Sequence, residues 1–356
     1  MENRQWDGAT YGTGWMHRTL IRSLRFLDVR LFYWFSYIFV IPVALIKNPS
    51  RRSSYAFYRE ALGFGRFKSA LQTYLNHCMF AQVVIDRFAM YAGKRFEIEI
   101  DGDEVFQSLI SQPEGFIQLS SHVGNYEIAG YSLSSGSKTI NAVVYGHEKQ
   151  SVMDNRNSMF TKTGTRMIPI KEDMSHLFEI DRALVGGDIV SFPSDRYMGD
   201  ARTIECEFFS RKAKFPMGPF SVATMRGLNV LAINVMKEGA KKYHIYITEL
   251  PYDKSASRKQ QLTGLSSAYV AELERILRKY PSQWYNFYDF WNIAGTAGAG
   301  ESKMAQESLK RAGESEESGS PKSNGDSKRM DESKKSGNVQ RVRENLKRMG
   351  KPKENG

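Results

Sequence analysis

The sequence predicts an α/β fold: a mostly parallel sheet flanked by helices, with an N-terminal helical region before it and a disordered tail after it. Three observations predict this. Between residues 96 and 250, strand-like runs alternate with helix-like stretches, the pattern of a wound sheet with helical crossovers. A dense apolar run lies ahead of them at residues 31–46. Beyond them the aromatics stop: all 44 Phe, Trp and Tyr lie at or before Trp291. The first 291 residues thus have material for one large core, whereas the tail cannot bury enough apolar surface to offset its chain entropy.

The elements follow in order. Residues 31–46 (LFYWFSYIFVIPVALI) are a 16-residue run, apolar or aromatic except for Ser36, between Arg30 and Lys47. As a helix they span about 24 Å, short of the ~30 Å hydrocarbon layer, and Pro42 is expected to kink it. Two readings stay open: a buried core helix, or a shallow or re-entrant membrane anchor. Residues 53–92 read as helices, with Leu71, Leu75, Cys78, Met79, Val83 and Phe88 as a loose core stripe. Strands are predicted at 96–100, 115–121, 139–145, 166–170, 188–194, 205–209, 228–235 and 243–250. Helices are predicted at 126–133, 151–160, 174–185 and 218–226, with a last one carrying Tyr269, Leu273, Ile276, Leu277 and Tyr280 at helical spacing. Three regions result: 1–95 helical, 96–292 α/β, and 293–356 a basic tail.

Charge is unevenly spread. The formal net charge of +11 divides into +7 for residues 1–100, zero for 101–300 and +4 for 301–356. Arg18, Arg22, Arg25, Arg30, Lys47, Arg51 and Arg52 bracket the apolar run. This fits an anionic membrane surface better than nucleic acid, because the tail has no aromatics to stack on bases. Two cysteines, Cys78 and Cys206, exclude a disulfide scaffold and a cysteine-based zinc site. No signal peptide is read at the start, where residues 1–16 are polar. No metal-ligand motif, P-loop or dinucleotide fingerprint occurs, so neither metal nor cofactor is expected.

The densest polar signal is SSHVGNYEIAG, residues 120–130. His122 follows an apolar strand, and Glu127 lies five residues on, at a helix start. Sites form at the carboxyl ends of parallel strands. The Glu127 carboxylate is expected to reach one imidazole nitrogen, fix the tautomer and raise the basicity of the other. Free N–H groups of the helix start are expected to face a developing oxyanion. Gly124 and Asn125 suit the tight turn between them and are assigned to substrate contacts. A histidine–carboxylate pair with no obvious nucleophile points to a base that activates a substrate hydroxyl or amine.

SHVGNYEIAG resembles the H-x4-[D/E] segment of the lysophospholipid acyltransferase superfamily, and most of all its lipid A biosynthesis (lauroyl/myristoyl) acyltransferase branch. Further blocks occur in the same order as in that branch: WDGATYGTGWMHR near the start, the run at 31–46, SFPSDRYMGD, FFSRKAKFPMGPFSVATMRG and YPSQWYNFYDFW. The resemblance covers residues 6–292. Ser210 stands where the branch has glycine, and Tyr126 where it has tryptophan.

The resemblance implies transfer of a fatty acyl group from a thioester to a hydroxyl or amine of a lipid acceptor, a lipid A precursor or related glycolipid. It implies the cytoplasmic face of the bacterial inner membrane. Acyl-carrier protein or acyl-CoA is the implied donor. His122 maps onto the general base and Glu127 onto the acidic residue that orients it. Asp195 and Arg196 fall where the branch has a polar pair after a strand, and Arg211 lies in the basic stretch after Phe209; all three are assigned to substrate binding. Two alternatives remain: a lipid hydrolase or thioesterase using the same pair, and a non-catalytic membrane-binding protein.

Overall fold

The computed structural model describes residues 14–47, 50–133, 135–145, 164–171, 173–197 and 201–291. The helix expected at 151–160 and the tail at 293–356 lie outside the described residues.

Four helices come first: α1 (Gly14–Phe26), α2 (Val29–Lys47), α3 (Ser50–Ala56) and α4 (Arg66–Tyr91). Asp28 caps α2 by accepting the Arg30 backbone N–H at 2.9 Å. Pro42 does not break α2. Its missing N–H and bulky ring would clash with an α-helical carbonyl four residues back. The helix instead takes one π turn at Ser36–Val40, where the Ile41 N–H bonds the Ser36 carbonyl five residues back. The result is 19 residues, about 28 Å, long and apolar enough to cross a membrane.

One edge of α2, with Val29, Tyr33 and Ile41, is buried. The rest is bare: Leu31, Trp34, Phe35, Ile38, Phe39, Val40, Val43 and Ile46 are exposed. The stripe expected to be core on α4 is only partly so. Cys78 and Val83 are buried, but Leu71 and Leu75 are exposed along with Phe67. Ser69, Thr73, Asn76 and His77 are buried in their place. The first half of α4 therefore turns its polar side inward, where Asn76 donates to the carbonyls of Ser282 and Trp284 at 3.0 and 2.8 Å.

The α/β part runs β1 (Glu97–Asp101), α5 (Asp103–Ile110), β2 (Phe116–Ser120), α6 (Ala129–Ser132), β3 (Ile140–Tyr145) and β4 (Thr165–Ile170). It continues with α7 (His176–Val185), β5 (Ile189–Pro193), β6 (Thr203–Phe208), β7 (Arg211–Pro216) and α8 (Met217–Met225). It ends with β8 (Val230–Lys237), β9 (Lys242–Glu249) and α9 (Arg258–Lys279). Helix α5 and strand β7 are additions to the sequence reading.

Seven strands form one sheet in the order β1-β9-β8-β2-β5-β3-β4. Every pairing is parallel except β8 with β9, a hairpin. The fold is α/β with a mostly parallel sheet. Strand β8 is buried along its whole length, as a strand covered on both faces must be. Strands β6 and β7 form a separate hairpin whose turn residues, Phe209 and Ser210, have φ of 52° and 57°. That is the left-handed geometry of a tight two-residue hairpin turn, which glycine adopts most cheaply. The hairpin buries Phe208 and Phe215 against Trp284 and Phe290.

Candidate active site

Strands β2 and β5 are parallel neighbours with Ser120 opposite Pro193. Two residues beyond that register, the chains have left the sheet side by side, at its carboxyl edge. His122 and Asp195 therefore meet there. The Ser194 N–H donates to the Ser120 carbonyl at 2.8 Å and extends the pairing. The His122 ring Nδ1 lies 2.7 Å from Asp195 Oδ1, and the His122 backbone N–H donates to Asp195 Oδ2 at 3.0 Å.

Asp195 is fully buried. Burial alone would raise its pKa. The His122 imidazole, the neighbouring Arg196 guanidinium and the His122 N–H outweigh that and hold the carboxyl down at about 2. The carboxylate is ionised and accepts both bonds. The His122 pKa is lowered from 6.5, first by desolvation and next by the Arg196 charge, against the pull of Asp195. At neutral pH the ring is neutral. An ionised Asp195 on Nδ1 requires the proton on that nitrogen, so Nε2 carries the free lone pair.

The sequence reading gave the orienting role to Glu127. The structure places Asp195 on the imidazole instead. The Glu127 carboxylate lies 3.4 Å from the Arg87 guanidinium of α4 and accepts from the Tyr91 hydroxyl at 3.3 Å. Glu127 sits in the middle of a single turn of 3-10 helix, Tyr126–Ile128, not at the start of a regular helix. Arg87 also reaches Asn125 Oδ1 at 3.5 Å and lies over the Tyr126 ring at 5.2 Å. The Tyr126 ring meets His122 edge-on at 5.9 Å.

Three N–H groups of the loop ahead of that turn are committed: those of His122, Gly124 and Asn125 donate to Asp195, to the Gln283 carbonyl and to the Val235 carbonyl. Gly124 has φ of +49°, and a Cβ there would lie 1.9 Å from the Val235 oxygen. Only glycine lets the loop close onto β8. Asn125 is wholly buried. The geometry of Gly124 and Asn125 clamps the loop onto β8.

Residues 281–285 brace the same loop. Val123 pairs with Trp284 in an antiparallel bridge, and the Tyr285 N–H donates to the His122 carbonyl at 3.1 Å. The Gln283 side chain locks the Lys237 backbone from both sides, at 2.9 and 2.8 Å. Arg196 donates to the Tyr285 carbonyl at 2.5 Å and lies over the Tyr288 ring at 5.6 Å. Arg211 is elsewhere, engaged by Glu60 at 3.0 Å and by the Trp291 ring at 4.8 Å. Among the basic residues of β7, Lys212 likewise meets Glu205 at 3.0 Å.

The hydroxyls adjacent to His122 point away from its chemistry. Ser120 donates to the Phe192 carbonyl and Ser121 to Asn234 Oδ1. Among the described residues, Glu99, Glu238 and His244 bring ligand atoms within 4.8 Å of one another at the far edge of the sheet. Lys242 already fills part of that cluster, 2.6 Å from Glu99. Sequence reasoning named His122, Glu127 and the 195–196 pair, and it did not name Arg87, Tyr91 and Gln283, which hold the His122 loop and Glu127. The one available signal was a charged Asp86-Arg87 pair inside an otherwise apolar stretch of α4.

A model of the family described as bacterial lipid A biosynthesis acyltransferase matches residues 76–292. The match begins later than the resemblance read from residue 6. Among solved structures the chain is similar to the 1-acyl-sn-glycerophosphate (LPA) acyltransferase PlsC from Thermotoga maritima. Identity is 14%, over 77% of this chain and 100% of that one, with a TM-score of 0.32, too low to argue from. Among curated proteins, none matches the chain. The family match takes in more than half of the residues, including β2, β5 and the His122–Asp195 pair, and the chain is therefore an enzyme of the bacterial lipid A biosynthesis acyltransferase family.

Proposed function

We propose that the protein moves a fatty acyl group from a thioester donor to a hydroxyl or amine of a lipid acceptor, with His122 as general base. The observation that carries this reading is the buried carboxylate on Nδ1, which leaves Nε2 as a neutral base at the open end of the sheet. His122 Nε2 takes the acceptor proton as its oxygen or nitrogen attacks the thioester carbonyl. Asp195 holds the tautomer and stabilises the imidazolium that forms. The imidazolium then returns a proton to the departing thiolate. A thioester is already activated, so no protein nucleophile is needed. Glu127 acts through Arg87 to hold the loop.

Arg196 supplies the nearest cation, suited to a phosphate of the acceptor or carrier. A lipid A precursor or related glycolipid is the acceptor class. The donor is an acyl-carrier protein or acyl-CoA. In this reading residues 1–95 associate with the anionic cytoplasmic face of the inner membrane, 96–292 carry the chemistry and 293–356 are an accessory tail. The outward apolar faces of α2 and of the first half of α4 support membrane contact.

Lipids from cells with and without the protein, and with His122→Ala, test the reading by mass spectrometry. One lipid class lacking one acyl chain in both defective strains is the expected result. An unchanged lipid profile would remove the acyl-transfer reading.

A further inference from the structure

A second polar cluster lies beneath the site and takes no part in the proton transfers. Asp86 of α4 is fully buried, and so, to 1%, is the Lys237 side chain at the end of β8. Their ion pair is 2.6 Å long. Lys237 spends its other two protons on the Tyr33 hydroxyl at 3.3 Å and the Ala240 carbonyl at 3.2 Å. Asp86 accepts two further bonds, from the hydroxyls of Tyr33 and Tyr243. One carboxylate thus ties together α2, α4, β8 and β9.

Such a pair is an expensive way to hold four elements together. Apolar side chains of equal volume often do it as well or better. What the cluster adds is direction. Tyr33 belongs to α2, the helix with the bare apolar face. On the other side, two routes lead to the His122 loop. The Tyr243 hydroxyl accepts from Asn125 at 3.5 Å. Lys237 is locked by Gln283, whose own carbonyl takes the Gly124 N–H at 2.9 Å. The residue after Asp86 is Arg87, which grips Asn125 and Glu127.

We propose that Asp86, with Tyr33, Lys237 and Tyr243, is a positioning unit that transmits the seating of the apolar helix α2 to the loop carrying His122. The proposal rests on the acyl-transfer reading. When α2 is seated, Tyr33 completes the Asp86 cluster and the loop is held with His122 against Asp195. Without that bond, Asp86 loses one of its three partners and Lys237 loses an acceptor, the anchor shared by Tyr243 and Lys237 loosens, and the loop samples poses in which Nε2 does not face the acceptor.

The test compares three Tyr→Phe variants of the full chain, each keeping its ring. Tyr33→Phe and Tyr243→Phe each remove one hydroxyl from Asp86. Tyr74→Phe is the control. Its hydroxyl also joins α4 to α2, at the Tyr37 carbonyl at 3.0 Å, and among the described residues it makes no hydrogen bond to the Asp86 cluster or the His122 loop. Turnover is measured in vesicles of phosphatidylglycerol and phosphatidylethanolamine with an acyl thioester, alongside melting temperature. Tyr33→Phe and Tyr243→Phe are expected to lower kcat about tenfold with KM for donor nearly unchanged, and to move the acid limb of the pH profile. Tyr74→Phe is expected to keep wild-type kcat. Wild-type kcat in Tyr33→Phe, or an equal loss in Tyr74→Phe, would overturn the proposal. A loss that only tracks the unfolded fraction would do the same. His122→Ala runs in parallel: if it turns over normally, the acyl-transfer reading fails on its own account.

Discussion

At the scale of single residues, two buried carboxylates near one histidine differ in their partners. Asp195 is sealed against His122 and stays ionised, whereas Glu127 is spent on Arg87 and Tyr91. Asp195→Asn leaves the shape but presents an amide to Nδ1 and favours the wrong tautomer. It should lower kcat by roughly 10²- to 10⁴-fold with acceptor KM little changed, measured in steady-state assays. The pH dependence follows from the same pair. His122 must be neutral to act, and its pKa lies below 6.5. The rate should therefore fall on an acid limb below 6.5 and be flat on the alkaline side of it. Stability has the matching sign: a depressed histidine contributes fully above 6.5 and loses its contribution as pH falls from there through its folded pKa. Asp195 contributes above 3.8 and loses stability as pH falls toward about 2. Melting temperatures across pH check both limbs. At the β6–β7 turn, Ser210 has φ of 57°. Ser210→Gly should raise stability by about 0.5–1 kcal/mol in denaturant titration, because the left-handed conformation costs glycine nothing.

At the scale of elements, α2 is the informative case. Its composition fits both a core helix and an anchor. Packing argues against a core helix: only 22% of its most apolar window is buried. Each bare Phe, Ile or Trp forgoes on the order of 2 kcal/mol of burial in water. The inside-out first half of α4 repeats the pattern. Phe39→Arg combined with Ile38→Glu should move the protein from the membrane to the soluble fraction on centrifugation while the sheet domain keeps its melting transition. Retention in the membrane fraction would show that contact is made elsewhere. The π turn at Ser36–Val40 explains how Pro42 is accommodated inside a continuous helix, where proline rules alone predict a kink.

At the scale of the whole molecule, the charge partition and the chemistry separate. The largest net positive charge, +7, lies in residues 1–100, and the His122–Asp195 pair lies in the α/β part, whose net charge is zero over residues 101–300. Removal of residues 300–356 is expected to leave kcat in detergent unchanged, and a lost rate would place the tail in the site. By itself the sequence determined the alternation of strands and helices, the apolar run, His122 at a strand end and the family resemblance. Each of these is a local pattern, written in periodicity or in contiguous motif. The partner of His122 was decided by tertiary structure. His122 and Asp195 are 73 positions apart, and they meet only because β2 and β5 are parallel neighbours in a register that puts Ser120 opposite Pro193. Strand order is a long-range property of packing, and no single segment encodes it. The same reason hid Asp86 and Lys237, 151 positions apart, which meet only once α4 and the end of β8 are brought together.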